Sequence, residues 1–274
     1  MKTKLIRKLN ISAASGLVSV EGRFYAIADD ENKLISFTEN PDSQIEEVTL
    51  FEGELPQNPA ERKKLKADLE SLVYLQELNA LLAVPSGSKS NRCTGALIFL
   101  SSGKVQPVDF ANLFSSLQTT ISHLNIEGAV VFGDRIKFFQ RGNSVKGENA
   151  VININIVILL KELRTGRVSA RGLQSVVKCD LGFLNGVPLG FTDAAIVESQ
   201  IHFIAAAEKT DSTYDDGEFA GAVMGRLNAF DQVEMAGPIV CPAKPEGLCA
   251  KDGKLYLVTD ADDRSVFSAL YTVL

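Results

Sequence analysis

Residues 15–30 read SGLVSVEGRFYAIADD. Two short runs of β-formers flank a turn at Glu21-Gly22-Arg23, the pattern of a β-hairpin. The arrangement returns four times. Glu70 opens ESLVYL, a turn at Gln76-Glu77 and a run to Ser86; Glu127 opens EGAVVF, a turn at Gly133-Asp134 and a run to Gly142. Asp193 opens DAAIV, a turn at Glu198-Ser199 and a run to Lys209; Glu246 opens EGLCA, a turn at Lys251-Asp252-Gly253 and a run to Asp260. The hairpins begin at 15, 70, 127, 193 and 246, a spacing that accommodates four strands with their loops, which is one propeller blade.

The remainder of each repeat agrees. Lys33–Phe37 and Ile45–Phe51 follow the first hairpin, and Gly95–Leu100 and Val105–Val108 follow the second. The fifth has only Ala269–Leu274 left, one strand short, while the N-terminus holds a surplus strand, Lys4–Ile11. Pairing the two closes a ring and removes an exposed edge. The expected fold is therefore all-β: a five-bladed β-propeller in one domain over residues 1–274, closed by the N-terminal strand.

Composition limits the function. The chain has 274 residues, 45% of them hydrophobic, and a formal net charge of −6. An acidic protein does not suit the phosphate backbone of a nucleic acid, so none is expected as a partner. The start, MKTKLIRKLNIS, has no apolar core of a leader, and the apolar run from Ile152 to Leu160 is too short for a membrane span and interrupted by asparagine. A cytoplasmic monomer without membrane contact is expected. Cys93, Cys179, Cys241 and Cys249 form no CxxC and read as free thiols, and with only His123 and His202 available zinc is not expected.

In a propeller the first strand of each blade lines the channel and the second returns to the same face. Ser15, Glu70, Glu127, Asp193 and Glu246 are thus expected to ring one end of the channel. Carboxylates aimed at one axis repel each other, so either a cation or neighbouring basic residues must compensate them. An all-oxygen set suits Ca²⁺. The ends of the second strands form a wider ring: Asp29, Asp30, Glu208 and Asp260 as candidate catalytic carboxylates, and Lys89, Arg92, Arg141 and Lys209 as candidate contacts to a small anionic ligand. Turn residues of these types are also common without any function. The segment 58–71 reads as a solvated helix, Pro85-Ser-Gly-Ser-Lys89 as a weak phosphate-wrapping loop, and Asp211–Gly221 as a binding loop or lid.

The Ser15, Glu70, Glu127, Glu246 order, together with the acidic segment in Phe203–Gly221, resembles the calcium-activated nucleotidases (apyrases). That resemblance implies a five-bladed propeller with Ca²⁺ in the channel and hydrolysis of nucleoside di- and triphosphates. The family's DDR-type motif after the first hairpin reads Asp29-Asp30-Glu31 here, a similar Asp262-Asp263-Arg264 stands in the fifth repeat, and the family's tryptophans are absent. Related bacterial propellers with esterase-like or phytase-like members share the hairpins. The functional expectation is a Ca²⁺-dependent hydrolase of a phosphorylated small molecule. The alternatives are a non-catalytic binding propeller with a structural cation, and a lactonase or sugar-acid hydrolase.

Overall fold

The computed structural model describes residues 1–142, 147–209 and 217–274. Its strands form five antiparallel sheets arranged in a ring, a five-bladed β-propeller. Blade one runs Ala14–Val20, Arg23–Ala28, Lys33–Phe37 and Glu46–Thr49. Blade two runs Leu69–Leu75, Ala80–Pro85, Thr94–Phe99 and Val105–Asp109. Blade three runs Ile126–Phe132, Arg135–Gln140, Asn149–Asn155 and Leu173–Cys179. Blade four runs Val187–Val197, Gln200–Lys209, Glu218–Leu227 and Val233–Ile239, with the short strand Phe183–Leu184 paired to its first strand. Blade five holds Lys244–Lys251, Lys254–Asp260 and Ala269–Val273.

The strand Thr3–Lys8 completes blade five, antiparallel to Ala269–Val273 with Thr3 opposite Val273. It is the closing strand expected from the sequence, ending three residues earlier than Ile11. Each innermost strand packs against the innermost strands of the two neighbouring blades, blade five against blade one included.

Alternation along the strands fills the gaps between blades. In blade one, Phe24, Ala26 and Ala28 face the core shared with blade five, whereas Ile27 and Leu34 face the core shared with blade two. Aromatic rings join blades at two of these seams. Phe24 lies 5.0 Å from Tyr256, and Phe191 makes edge contacts with Phe139 at 5.2 Å and Phe203 at 5.0 Å. Each fully buried side chain of this size contributes roughly 1.5–3 kcal/mol relative to exposure.

Among the described residues three α-helices interrupt the strands. Pro59–Leu65 is a helix, as expected within 58–71, and Asn58 Oδ1 caps it by accepting from Glu61 N at 3.1 Å. Helices Ala111–Leu117 and Ile156–Leu163 were not legible as such. The second takes over the C-terminal half of the apolar run from Ile152, where Asn155 leaves the strand and its Oδ1 accepts from Ile158 N.

Every innermost strand carries a β-bulge near its start. The unpaired residues are Ser15, Glu70, Glu127, Thr192 and Glu246. The residues that follow are Gly16, Ser71, Gly128, Asp193 and Gly247, at the point where the strands come closest. A Cβ on Gly16 would lie 2.8 Å from Leu72 N, and one on Gly128 would lie 2.9 Å from Asp193 Cα. A Cβ on Gly247 would lie 2.7 Å from Val258 Cγ2 and 2.9 Å from Leu17 N. Gly247→Ala is expected to lower stability by about 1–3 kcal/mol through this overpacking. Urea unfolding measures it, and a loss below about 0.5 kcal/mol would mean that the strands separate freely.

Candidate functional site at the channel mouth

The bulges decide which side chains reach the axis. Ser15, Glu70, Glu127 and Glu246, all members of the expected ring, occupy the bulged position, but in blade four that position is Thr192. Asp193 lies one residue further on and reaches across the seam, where its Oδ2 accepts from Leu248 N at 2.7 Å. It straps blade four to blade five in a site that is 1% exposed, and burial pushes its carboxyl well above the usual range. Ser15 is also occupied, since its hydroxyl donates to Leu69 O at 2.6 Å. The expected ring of five therefore reduces to three glutamates, and other residues complete the site.

On the side of blades three to five, two cations hold the carboxylates. Arg141 Nη2 lies 2.9 Å from Glu208, and its Nη1 lies 3.5 Å from Glu127 and 3.7 Å from Glu246. Lys244 Nζ lies 2.7 Å from Glu208, 2.9 Å from Glu246 and 3.3 Å from Asp262. Arg141 crosses blade four at Gly190, where a Cβ would stand 2.8 Å from its Cγ. Burial opposes the charge on Glu208, but Arg141 and Lys244 outweigh it and hold its carboxyl down at about 2. Burial dominates at Glu127 and, with Glu246 and Glu208 nearby, raises it to about 8 despite Arg141.

The side of blades one and two is organised differently. Lys66 Nζ contacts Asp29 and lies 2.9 Å from Asp68. Arg92 Nη1 lies 2.7 Å from Asp68 Oδ2, and Ser86 Oγ donates to the same oxygen. Asp29, Asp68 and Glu70 each offer one carboxylate oxygen, and these lie within 4.8 Å of one another. Among the described residues nothing donates a hydrogen bond to Glu70. Burial first, then Glu127, Asp68 and Asp29, raise its carboxyl well above the usual range. Burial likewise lifts Asp29 to about 6 and Asp260, which sits between the two halves, to about 8.

Several expected contacts thus have structural work. Arg92 and Arg141 are buried in ion pairs, and Glu208 is neutralised by two cations. Lys209 pairs with Glu218 at 3.2 Å at the exposed end of blade four, away from the buried cluster. Lys89 lies on the loop after blade two's second strand; the serines of that loop turn toward Asp68, not toward an open phosphate cradle. Asp29, Asp30 and Asp260 do come together. With Lys63, Asp262, Asp263 and Arg264 they line an open pocket of about 410 Å³ at the mouth. Of the expected loop Asp211–Gly221, residues 211–216 lie outside the described residues, and Glu218–Gly221 belong to the third strand of blade four.

Three site residues escaped the sequence reading. Lys66 and Asp68 sit in the segment 58–71 expected as a solvated helix, past the helix end at Leu65, and Lys244 lies two residues before Glu246. For Asp68 and Lys244 the available signal was the position two before each bulge, Ala13, Asp68, Asn125, Gly190 and Lys244, which the strand alternation returns toward the mouth; Lys66 carries no such signal.

The sequence model that matches, over residues 10–274, is described as a family of unknown function (DUF6929). The chain belongs to DUF6929. This is a different family from the calcium-activated nucleotidases that the short motifs resemble. No curated protein matches the sequence. Among solved structures, this DUF6929 chain is similar to glutaminyl cyclase of Myxococcus xanthus, with 11% identity, TM-score 0.53, and coverage of 100% of this chain and 98% of that one. A glycosyl hydrolase of Bacteroides ovatus is similar at 11% identity and TM-score 0.55, covering 97% and 84%. A structural genomics protein of Bacteroides thetaiotaomicron is similar at 10% identity and TM-score 0.50, covering 93% and 58%. At these identities the likeness concerns the fold. No helix among the described residues is long and apolar enough to cross a membrane. Cys93, Cys179, Cys241 and Cys249 are free.

The site predicts an unusual pH profile. The raised carboxyls Asp29, Glu127 and Asp260 keep protons in the folded chain that the unfolded chain has released, so between their ordinary range and about 8 stability falls as pH rises. Glu208 is depressed, so its contribution is present above the ordinary range and is lost as pH falls toward 2. The melting temperature with chelator present is expected to peak at mildly acid pH and decline toward pH 9, with Glu127→Gln flattening the decline. A melting temperature that rises from pH 5 to 8.5 would contradict the assignment.

Proposed function

We propose that the channel mouth is a divalent-cation-dependent hydrolytic site for a phosphorylated small molecule, with the ion, by preference Ca²⁺, held by Asp29, Asp68 and Glu70. The observation that carries this reading is the convergence of three carboxylate oxygens within 4.8 Å, one of them from Glu70, to which nothing among the described residues donates. The donor set fits: hard, anionic oxygens suit Ca²⁺ or Mg²⁺ and not a softer metal. Around the mouth the carboxyls of Asp29, Asp68, Glu70, Glu127, Glu208, Glu246 and Asp260 outnumber Lys66, Arg92, Arg141 and Lys244, so in the ion-free chain burial holds Glu70, Glu127 and Asp260 toward the protonated form, and a bound cation would favour their ionisation.

When bound, the ion supplies Lewis-acid polarisation of a phosphoryl oxygen and local positive charge for an anionic substrate. The chain's own groups do the rest. Asp260, raised to about 8, holds a proton near neutral pH in the lining of the mouth pocket and can deliver it to a leaving oxygen. Asp29, which burial raises to about 6 in the ion-free chain, gives up its proton to serve as a ligand and so couples ion binding to pH. Arg141 and Lys244 keep Glu208 and Glu246 fixed, so the half of the ring that bears no ion stays rigid.

Lys66 favours a second reading. Its ammonium rests on two of the three candidate ligands and can serve as a permanent counter-ion, in which case the same carboxyls form a metal-free acid–base site.

Two measurements separate these readings. Calcium is expected to raise the melting temperature of the wild type. Glu70→Gln is expected to raise the melting temperature in chelator, by removing a repelled buried carboxyl, and to abolish the calcium response. Calcium binding with an unchanged response in Glu70→Gln would move the ion elsewhere, and no calcium response at all would leave the metal-free reading. Phosphate release from ADP, UDP and a phosphomonoester, with and without chelator, tests the activity. No turnover on that panel with calcium present overturns phosphate-ester hydrolysis.

A further inference from the structure

Next to the mouth pocket lies a second one of about 390 Å³, over the outer part of blade one, and Arg264 lines both. The two differ in charge. The mouth pocket is lined by five aspartates with Lys63 and Arg264; the outer pocket has Glu31 and Glu54 against Lys33, Arg62 and Arg264, with Asn32, Thr49 and Phe51 beside them. An anionic group is therefore better placed in the outer pocket.

Of the outer pocket's cations, two are already committed. Lys33 pairs with Glu31 at 3.1 Å and Glu47 at 3.2 Å. Arg62 is buried and donates to the backbone oxygens of Asp30, Pro56 and Leu55 at 2.6, 2.8 and 3.2 Å. Arg264 differs. Its Nε lies 3.2 Å from Asp30 Oδ2, and its side chain is 40% exposed. Its two terminal nitrogens have no acceptor among the described residues. The guanidinium is thus anchored by one edge and open along the other, the fork that takes an oxyanion by two parallel hydrogen bonds.

The loop that carries Arg264 is held in shape by its own polar groups. Asp260 Oδ1 accepts from Asp262 N at 2.8 Å, Asp263 Oδ1 accepts from Ser265 N and Oγ at 2.8 and 2.7 Å, and Asp262 is tied to Lys244. At the other end Asp30 is fixed by Arg62, 3.9 Å from its Oδ2. Arg264 therefore stands between the candidate reacting carboxyls and the outer pocket on a supported loop.

We propose that Arg264 is a substrate-binding, specificity-determining residue: its free fork holds a terminal oxyanion of an elongated ligand in the outer pocket, while the rest of that ligand extends over Asp29 and Asp260. Only the part concerning the reacting end rests on the hydrolytic reading. A small monoester that fills the mouth alone would leave Arg264 unused, so the preferred substrate carries a second anionic group beyond the one at the ion. Phosphate and carboxylate share the chemistry the fork recognises.

The test is titration with inorganic phosphate, and separately with acetate, in chelator, read by thermal shift and calorimetry. Wild type is expected to bind at least one of the two. Arg264→Ala is expected to weaken that binding by about tenfold, the loss of roughly one charge-assisted contact, without a change in melting temperature in the absence of anion. Arg264→Lys, which keeps charge but not the fork, is expected to recover only part of it, and Lys209→Ala to bind as wild type. If Arg264→Ala does not fold, Arg264→Gln replaces it. Response to phosphate alone assigns a phosphate, and response to acetate alone a carboxylate. Equal affinity in wild type and Arg264→Ala, or no response to either anion in wild type, overturns the proposal. Because calcium is absent, a failed calcium titration leaves this result standing, and the converse holds.

Discussion

Five innermost strands approach one axis so closely that a Cβ at Gly16, Gly128 or Gly247 would collide with the neighbouring strand. That approach sets the rest of the molecule. A strand cannot keep regular pairing with its own blade while its neighbours press against it at this distance. Each one releases one residue as a bulge, and in blades two, three and five that residue is a glutamate of the mouth. The seam chemistry follows the same constraint. Where the small residue is not glycine, blade four uses Asp193, whose carboxylate takes a backbone N–H from blade five and turns the crowding into a strap.

The bulges also concentrate charge. Glu70, Glu127 and Glu246 are brought together with Asp29, Asp68, Glu208 and Asp260 in a region that excludes most water. Isolated buried carboxylates cost several kcal/mol each, so a folded chain must either protonate them or supply cations. It does both, unequally. Arg141 and Lys244 reach Glu208 and Glu246 with short contacts, and Glu208 is held charged as a result. Across the channel, Lys66 and Arg92 serve Asp68 but leave Glu70 to be suppressed by burial. The mouth is thus rigid and compensated on one side, and under-compensated on the other.

The blade number, the closing strand and the identity of three ring glutamates were legible in the sequence, because hairpin turns and β-alternation are local signals. The error at Asp193 has a physical origin. The bulge falls one residue earlier in blade four than an alignment of acids suggests, and which residue bulges depends on the approach of the next blade, which no local pattern records. Lys66, Asp68 and Lys244 were missed for a related reason. A cation that neutralises a buried acid and one that faces solvent have the same side chain; the position two residues before the bulge marks Asp68 and Lys244, whereas Lys66 lies four before Glu70 and carries no such mark. Arg92 and Arg141 show the converse: they lie where expected, on the ends or loops of second strands, but buried carboxylates capture them before any ligand can.

The asymmetry of charge has a further consequence for where chemistry can occur. A group locked between two cations, such as Glu208, neither gains nor loses a proton near neutral pH. Among the carboxyls displaced toward neutrality, Asp29 directly follows the second strand of blade one and Asp260 ends the second strand of blade five, blades that are adjacent because the ring is closed. Their proximity therefore depends on Thr3–Lys8 completing blade five, with the bridge between Ala13 and Asp260 tying the two blades directly at the mouth. The seam that seals the ring is thus also the seam at which the titratable groups meet. Arg264, on the loop that follows Asp260 and anchored to Asp30 of blade one, spans that same seam. An opening there would separate the proton-exchanging pair and release the guanidinium together, so closure of the fold and assembly of the site are one event.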